Sequence, residues 1–323
     1  MFVCFFAVCL SQLNCLSQNE AHINLNIDID DCYFSRTFSR AGKGGVVSVI
    51  NAGIQMKISQ SVFYNCSAND HGGVIWFVSQ KIGFYSVCAF NCFTSPTYRY
   101  EFGYIDVSDS TENHYSLLSL AQCPSQKYSD RSQPCQIYRG NQMLYMCNSS
   151  DNCVDYHSGF VFVSPKSLDV MFSTFSNNKG SNTCLYVSVT ATSGSYYFKN
   201  LNVFNNYQSK TTEGVFYINT KTTITFESCL LSKNNQILFF VFAGSVSISH
   251  SLIQHIPSKL FSGSLIYSNN VSISEVASIQ SYNYNYYSPR YCYEKISSQT
   301  IRYDFQYSRL LLINILSILF SIL

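Results

Sequence analysis

Charge is scarce in this sequence. Asp, Glu, Lys and Arg make up 12% of 323 residues, against about 25% in an average soluble domain. The 20 basic and 18 acidic residues leave a formal charge of +2. No basic stripe marks a nucleic-acid footprint and there is no acidic tail, so nucleic acid is not an expected partner. Metal-site spacing is missing as well. Cys88 and Cys92 are separated by three residues, but no second Cys or His pair follows at zinc-site distance. No Gly-rich phosphate loop occurs, and no cofactor is expected. Outside the two ends the chain has no clear 3.6-residue periodicity, which disfavours helical repeats.

Aromatic residues, in contrast, are abundant. With 25 Tyr and 25 Phe, the chain carries too much apolar area to remain disordered. Cysteine is also frequent, at 14 residues, and Cys4, Cys9 and Cys15 lie in an N-terminal apolar segment. The other eleven are an odd number. In an oxidising compartment this predicts a disulfide framework with one free or intermolecular thiol. Cys147 and Cys153 flank a short polar turn and form the candidate pair.

The ends predict a cellular address. MFVCFFAVCL is apolar and turns polar at Ser11, with Cys15 and Ser17 as small residues at a cleavage point. Residues 1–17 are expected to be a signal peptide, although the usual basic n-region is missing. Three sequons fit a secreted glycoprotein, with Asn65, Asn148 and Asn270 as acceptors. At the other end, Leu310 to Leu323 is fourteen residues without charge. A spanning helix needs ~20. The tail is expected to be a hydrophobic helix that attaches the chain to a membrane. It is either a short span or a glycolipid-anchor signal, the latter with attachment near Ser297 and Ser298 and a spacer behind them.

Between the ends the sequence repeats. Gly44-Gly45-Val46-Val47 is followed 28 residues later by Gly72-Gly73-Val74-Ile75, and Gly103-Tyr104-Ile105 comes 30 after Gly73. Gly159 and Gly214 also open apolar strands, and Gly263 opens one after a serine. A second column of apolar residues runs through Ile58, Phe84, Phe172, Phe198, Phe226, Ile248 and Ile273. Its one long interval, from Phe84 to Phe172, predicts a polar insert at about 123–152. An apolar residue often follows three positions on (Val87, Phe175, Leu201, Cys229, Val276), and an Asn often closes the segment (Asn65, Asn91, Asn177, Asn205, Asn234). Strand-only units of about 22 to 31 residues bury their inward faces only by stacking. The expectation is an all-β parallel β-helix spanning 18–280. At its corners Gly supplies φ > 0, and the asparagines form a ladder along the stack. A β-sandwich is the structural rival, but its strands would not recur in one order at one spacing.

Phe63-Tyr-Asn-Cys-Ser-Ala followed by Gly72-Gly73-Val74-Ile75 resembles the repeats of polymorphic outer membrane proteins, which carry a Phe-x-x-Asn and a Gly-Gly-x-Ile element in each coil. Phe175-Ser-Asn-Asn178 matches the first element fully, whereas Cys66 departs from it. Similar repeats occur in surface proteins of parasitic protists. The resemblance covers residues 32 to 107, and 140 to 280 more loosely. It implies a right-handed, pectate-lyase-like β-helix and a surface protein used in adhesion or antigenic display.

Two function classes follow. The first is a non-enzymatic cell-surface β-helix presenting an extended face to an unknown protein or glycan ligand. The alternative is a carbohydrate-active enzyme, a polysaccharide lyase or hydrolase, which would need clustered carboxylates. The Gly-His-Gly of pectin hydrolases is absent. Asp28, Asp30 and Asp31 read as a soluble cap on the first coil. Asp106 and Asp109, with Glu112 and His114 nearby, read as a solvated turn rather than a calcium site. The histidines are scattered, with no nucleophilic dyad. The Tyr-rich segment 281–309 is expected to be a stalk, with a binding surface as its second reading. No catalytic, metal or cofactor residue is assigned.

Overall fold

A computed structural model describes residues 13–15, 26–40, 42–95, 99–124, 132–210, 213–234, 237–254 and 259–274. It is an all-β parallel solenoid, and no helix is found among these residues. The expected C-terminal helix, the stalk at 281–309 and most of the leader lie outside them. Leu13–Cys15 is described and pairs in parallel with Val47 to Val49.

Each coil contributes a strand to three faces. On the first face Val49, Phe77, Ile105, Ile137 and Phe162 stand in register one above another. On the second the column runs Ile29, Ile58, Phe84, Tyr115, Leu144, Val170, Phe198, Phe226, Ile248 and Tyr267. On the third it runs Phe63, Ala89, Leu120, Ser149, Phe175, Val203, Leu231, Ile253 and Ile273. Strand alternation turns these residues inward. Up to the last coil, where Tyr267 and Ile273 are about half exposed, the apolar ones form one continuous core in which Phe63, Phe77, Phe84, Phe162, Phe175, Phe198 and Phe226 are fully buried.

Three sequence expectations change. The stretch at 123–152 is not a pure insert. Cys135–Tyr138, Asn141–Tyr145 and Asn148–Ser150 form a regular coil in register with its neighbours. Its interior is polar in places, with Gln142 and Ser149 buried, and this hid the period. Phe172 is not the column residue. Val170 is, and Phe172 occupies the next corner with φ 52°. Ile273 belongs to the third face, above Ile253, rather than the second.

The corners follow a rule. The bend after the third face has φ > 0 at Asn65, Asn91, Gln122, Asp151, Asn177, Asn205 and Lys233. The next residue points inward: Cys66, Cys92 and Cys123, then Asn152, Asn178, Asn206 and Asn234. Asn178 Nδ2 donates to Ser149 O of the coil before it (2.9 Å), and its Oδ1 accepts from Asn152 N (3.2 Å) and Asn152 Nδ2 (2.9 Å). The thiols take the same partners. Cys92 Sγ donates to Phe63 O (3.5 Å), and Cys92 N donates to Cys123 Sγ (3.4 Å). Cys123 N then donates to Asn152 Oδ1 (2.7 Å), so sulfur and amide belong to one ladder. Cys66 is therefore no departure in role. The bend after the second face repeats the device with Cys32, Cys147 and Cys229, whose N–H groups donate to Ser61, Ser173 and Ser251.

Gly72-Gly73 closes the coil. Gly72 has φ 72°, an angle that costs glycine little. At Gly73 an added Cβ would strike the carbonyl oxygens of Glu101 and Phe93. Gly103, which the register places above Ile75 rather than above Gly73, would put its Cβ 3.6 Å from Ile75 O, an ordinary contact. Gly73→Ala is therefore expected to destabilise the fold by about 1–3 kcal/mol or more, and Gly103→Ala by much less. Denaturant melts of the two variants check this, and equal losses would contradict the close-approach argument.

Candidate contact face

The outward side of the first face carries aromatic rings stacked from coil to coil. Their sites follow from the first-face strands: Val74-Ile75-Trp76, Gly103-Tyr104, Leu185-Tyr186 and Phe216-Tyr217 each place a ring at the outward position. In the lower patch Trp76 stacks on Tyr104 (4.2 Å, 12°), and Tyr138 follows at 5.2 Å. The Lys43 ammonium sits 4.1 Å above the Trp76 ring. Beside them, Arg139 Nε and Nη2 both reach Asp106 Oδ1 at 2.7 Å. In the upper patch Tyr186 stacks on Tyr217 (4.7 Å, 10°), and Phe240 follows at 5.3 Å. Buried Gln136 and Val161 separate the two patches.

This geometry presents ring edges and hydroxyls, because each ring face is largely covered by the ring of the next coil. Tyr104, Tyr138, Tyr186 and Tyr217 are half-buried. Burial raises all four phenol pKa values, that of Tyr217 to about 12. They are neutral donors and acceptors at physiological pH. Below them His157 is buried, with Nδ1 2.8 Å from Thr183 Oγ1, and burial lowers its pKa to about 3, so it stays uncharged. Asn182 Nδ2 donates to Glu213 Oε1 at 3.2 Å.

A polar groove of about 450 Å³ lies at the bend after the third face, lined by Gln122, Asp151, Asn177, Asn205, Lys179 and their neighbours. The outer asparagines stack along it, with Asn205 Nδ2 donating to Asn177 Oδ1 at 2.7 Å. Desolvation raises the Asp151 carboxyl pKa.

The residues singled out from sequence do not converge on one place. Asn65 stands half-exposed at a corner and Asn270 is exposed. Asn148 is 3% exposed, and its Nδ2 donates to Ser119 Oγ and Ser150 Oγ at 3.0 Å. Cys147 and Cys153 do not form the expected bridge and are free thiols. Cys147 points into the core, donating to Tyr115 O at 3.1 Å. Cys153 follows the next corner and is half-exposed. Nine described cysteines stand outside disulfides and eight of these are buried, whereas Cys88 is disulfide-bonded. Burial raises the thiol pKa values of Cys147, Cys184 and Cys229 to about 12. These thiols serve as core residues and weak donors. Asp30 accepts from Ser59 Oγ at 2.6 Å, and Asp106 is held by Arg139. Among the described residues no three His, Cys, Asp or Glu side chains are grouped to hold a metal, and no helix is long and apolar enough to cross a membrane. Comparisons with family models, with curated proteins and with solved structures return no match.

One buried acid had no sequence signal. Glu101 is fully buried where the short strand Phe93–Thr94 meets the first face, and its Oε2 accepts from Thr94 N (2.6 Å) and Thr94 Oγ1 (3.1 Å). Burial outweighs these bonds and raises its pKa to about 8. An acid with a raised folded-state pKa contributes full stability below its unfolded pKa of 4.5. That stability is lost as pH climbs towards 8, at roughly 1.4 kcal/mol per pH unit. Glu101→Gln should flatten the fall in stability between pH 5 and 8. An unchanged slope in pH-dependent melts would contradict this assignment.

Proposed function

We propose that the chain is a non-enzymatic surface protein whose β-helix presents its first face to a protein or glycan ligand. In this reading the helix is right-handed, the leader directs the chain to the secretory pathway, and Leu310 to Leu323 attaches it to the membrane. The address is supported by the apolar ends and by the sequons at Asn65 and Asn270. The observation that carries the contact role is the pair of outward Tyr patches around Tyr104 and Tyr138 and around Tyr186 and Tyr217. Tyrosine offers a large amphipathic contact area with little rotamer entropy to lose. Here stacking between coils has already fixed the rings, so less ordering remains to be done on binding. The flanking groups, Asp106 with Arg139 and Glu213 with Asn182, supply fixed polar partners at the rim.

The test is binding of the full chain to glycan arrays and to intact cell surfaces. Replacing Tyr138 and Tyr217 together by Ser is expected to weaken binding by about tenfold or more. The paired loss of stacking costs about 1–3 kcal/mol of stability, which is compatible with folding. Binding that is unchanged by this variant would remove the first face from the reading, and release of sugar fragments from the array would favour a carbohydrate-active enzyme. Surface labelling of intact cells, before and after a phospholipase that cuts glycolipid anchors, tests the address. Absence of label in both arms would overturn it.

A further inference from the structure

The outward side of the second face changes character over three coils. Its register places Met143 directly below Asp169 and Tyr197 directly above it, with Tyr145 below Met171. Met143 is 36% exposed and Tyr197 48%, and Tyr145 and Met171 are half-buried. The adjoining bend, after the second face, changes with them. It turns through φ > 0 at polar residues below (Asp31, Gln60, Ser86) and above (Asn200, Ser228, His250), but at Leu117, Met146 and Phe172 between them. A bulky apolar side chain is an uncommon choice for this region of φ, and the polar corners show that the turn does not call for one. The Phe172 ring meets Tyr145 edge-on at 5.4 Å. Met143, Met146 and Met171 are three of the five methionines in the chain.

The Asp169 carboxylate lies half-buried among these groups, and it makes no hydrogen bond or ion pair among the described residues. The acid–base contacts on this side are His114 with Glu112 (3.9 Å) and Lys199 with Glu227 (3.1 Å). Lys199 stands above Met171, but its ammonium is turned to Glu227. Burial raises the Asp169 carboxyl pKa, with no neighbouring charge to offset it. A carboxylate in apolar surroundings is costly until a cation pairs with it.

We propose that this patch docks a protein partner through an arginine, whose guanidinium meets Asp169 and whose apolar neighbours lie on the methionines and Phe172. The patch is on a different face from the stacked Tyr rings and does not depend on their contact role. The unpaired charge calls for a cation. A guanidinium pairs with a carboxylate through two parallel N–H donors and stacks on a ring such as that of Tyr197. The walls are thioethers and rings rather than amides, which suits a peptide better than a glycan. Methionine adapts its shape to an incoming side chain, and Met and aromatic residues are enriched in protein interfaces.

Methionine-methyl NMR on the full chain tests the assignment, with acetyl-Leu-Arg-Leu-amide as the probe and its citrulline counterpart as the neutral control. The Met143 and Met171 methyl signals are expected to shift saturably with the arginine peptide, while that of Met56, buried in the core, stays in place. Citrulline in place of arginine, or Asp169→Asn in the protein, should weaken binding by about tenfold. Asp169→Asn should also melt no lower than the unsubstituted protein, since the carboxylate has no internal partner to lose. A clear fall in melting temperature would make Asp169 a structural residue and overturn the proposal. Absence of shifts up to about 10 mM peptide, or equal shifts with both peptides, would overturn it as well. Shifts of the same methyls on changing protein concentration alone, alongside a dimer in sedimentation, would overturn it in favour of a second copy. Shifts with phosphatidylcholine vesicles but not with the peptide would overturn it in favour of a membrane surface.

Discussion

The bend after the third face sets the terms for the rest of the molecule. A backbone that turns through φ > 0 leaves an inward position beside the carbonyls of two coils, and those carbonyls need donors. A small polar side chain meets that need. Cys92 and Asn178 do it with different chemistry and the same partners, one coil back and within their own register. A buried amide that left its neighbour unmatched would cost about 1–3 kcal/mol. The column therefore admits few residue types, and by fixing each coil to the next it fixes the register of all three faces. The core phenylalanines stack in line because the corners leave them no other offset.

Alternation then separates the roles of the two sides of each strand. The inward side is mostly Val, Ile, Leu and Phe, interrupted at Tyr115, Gln142 and Ser149. The outward side of the first face carries Trp76, Tyr104, Tyr186 and Tyr217, held by stacking on rings above and below rather than by burial in a core. Each contact of this type contributes about 0.5–1.5 kcal/mol. The rings thus help to hold the coils together and at the same time form the contact surface.

Much of the architecture was legible in the sequence because its signals are local. Gly44-Gly45 and Gly72-Gly73 mark a bend that few other residues make, and Phe198, Phe226 and Ile248 mark a column that burial enforces. The errors arose where different residue types perform one task. Tyr115 and Leu144 kept the second-face column through a coil that looked like an insert, since the coil's polar interior is satisfied by hydrogen bonds between coils that no single segment displays. Cys66 looked like a lapse in an asparagine motif, and only the stacked geometry reveals a thiol in an amide's place. Cysteine parity failed for the same reason, since thiols on the ladder answer to carbonyls rather than to each other. The outward rings were visible but unread, as an aromatic in a strand carries no label for inside or outside until the register is known. Glu101 was invisible, because its burial depends on a strand and a loop from different parts of one coil.

Because sulfur and amide are interchangeable on the ladder, every bend presents nearly the same joint to whatever lies above or below it. A whole coil can then be duplicated or lost between two such joints with the interior still matched, as Asn178 would meet the partners Asn206 now meets. Length is thus a free variable of this architecture.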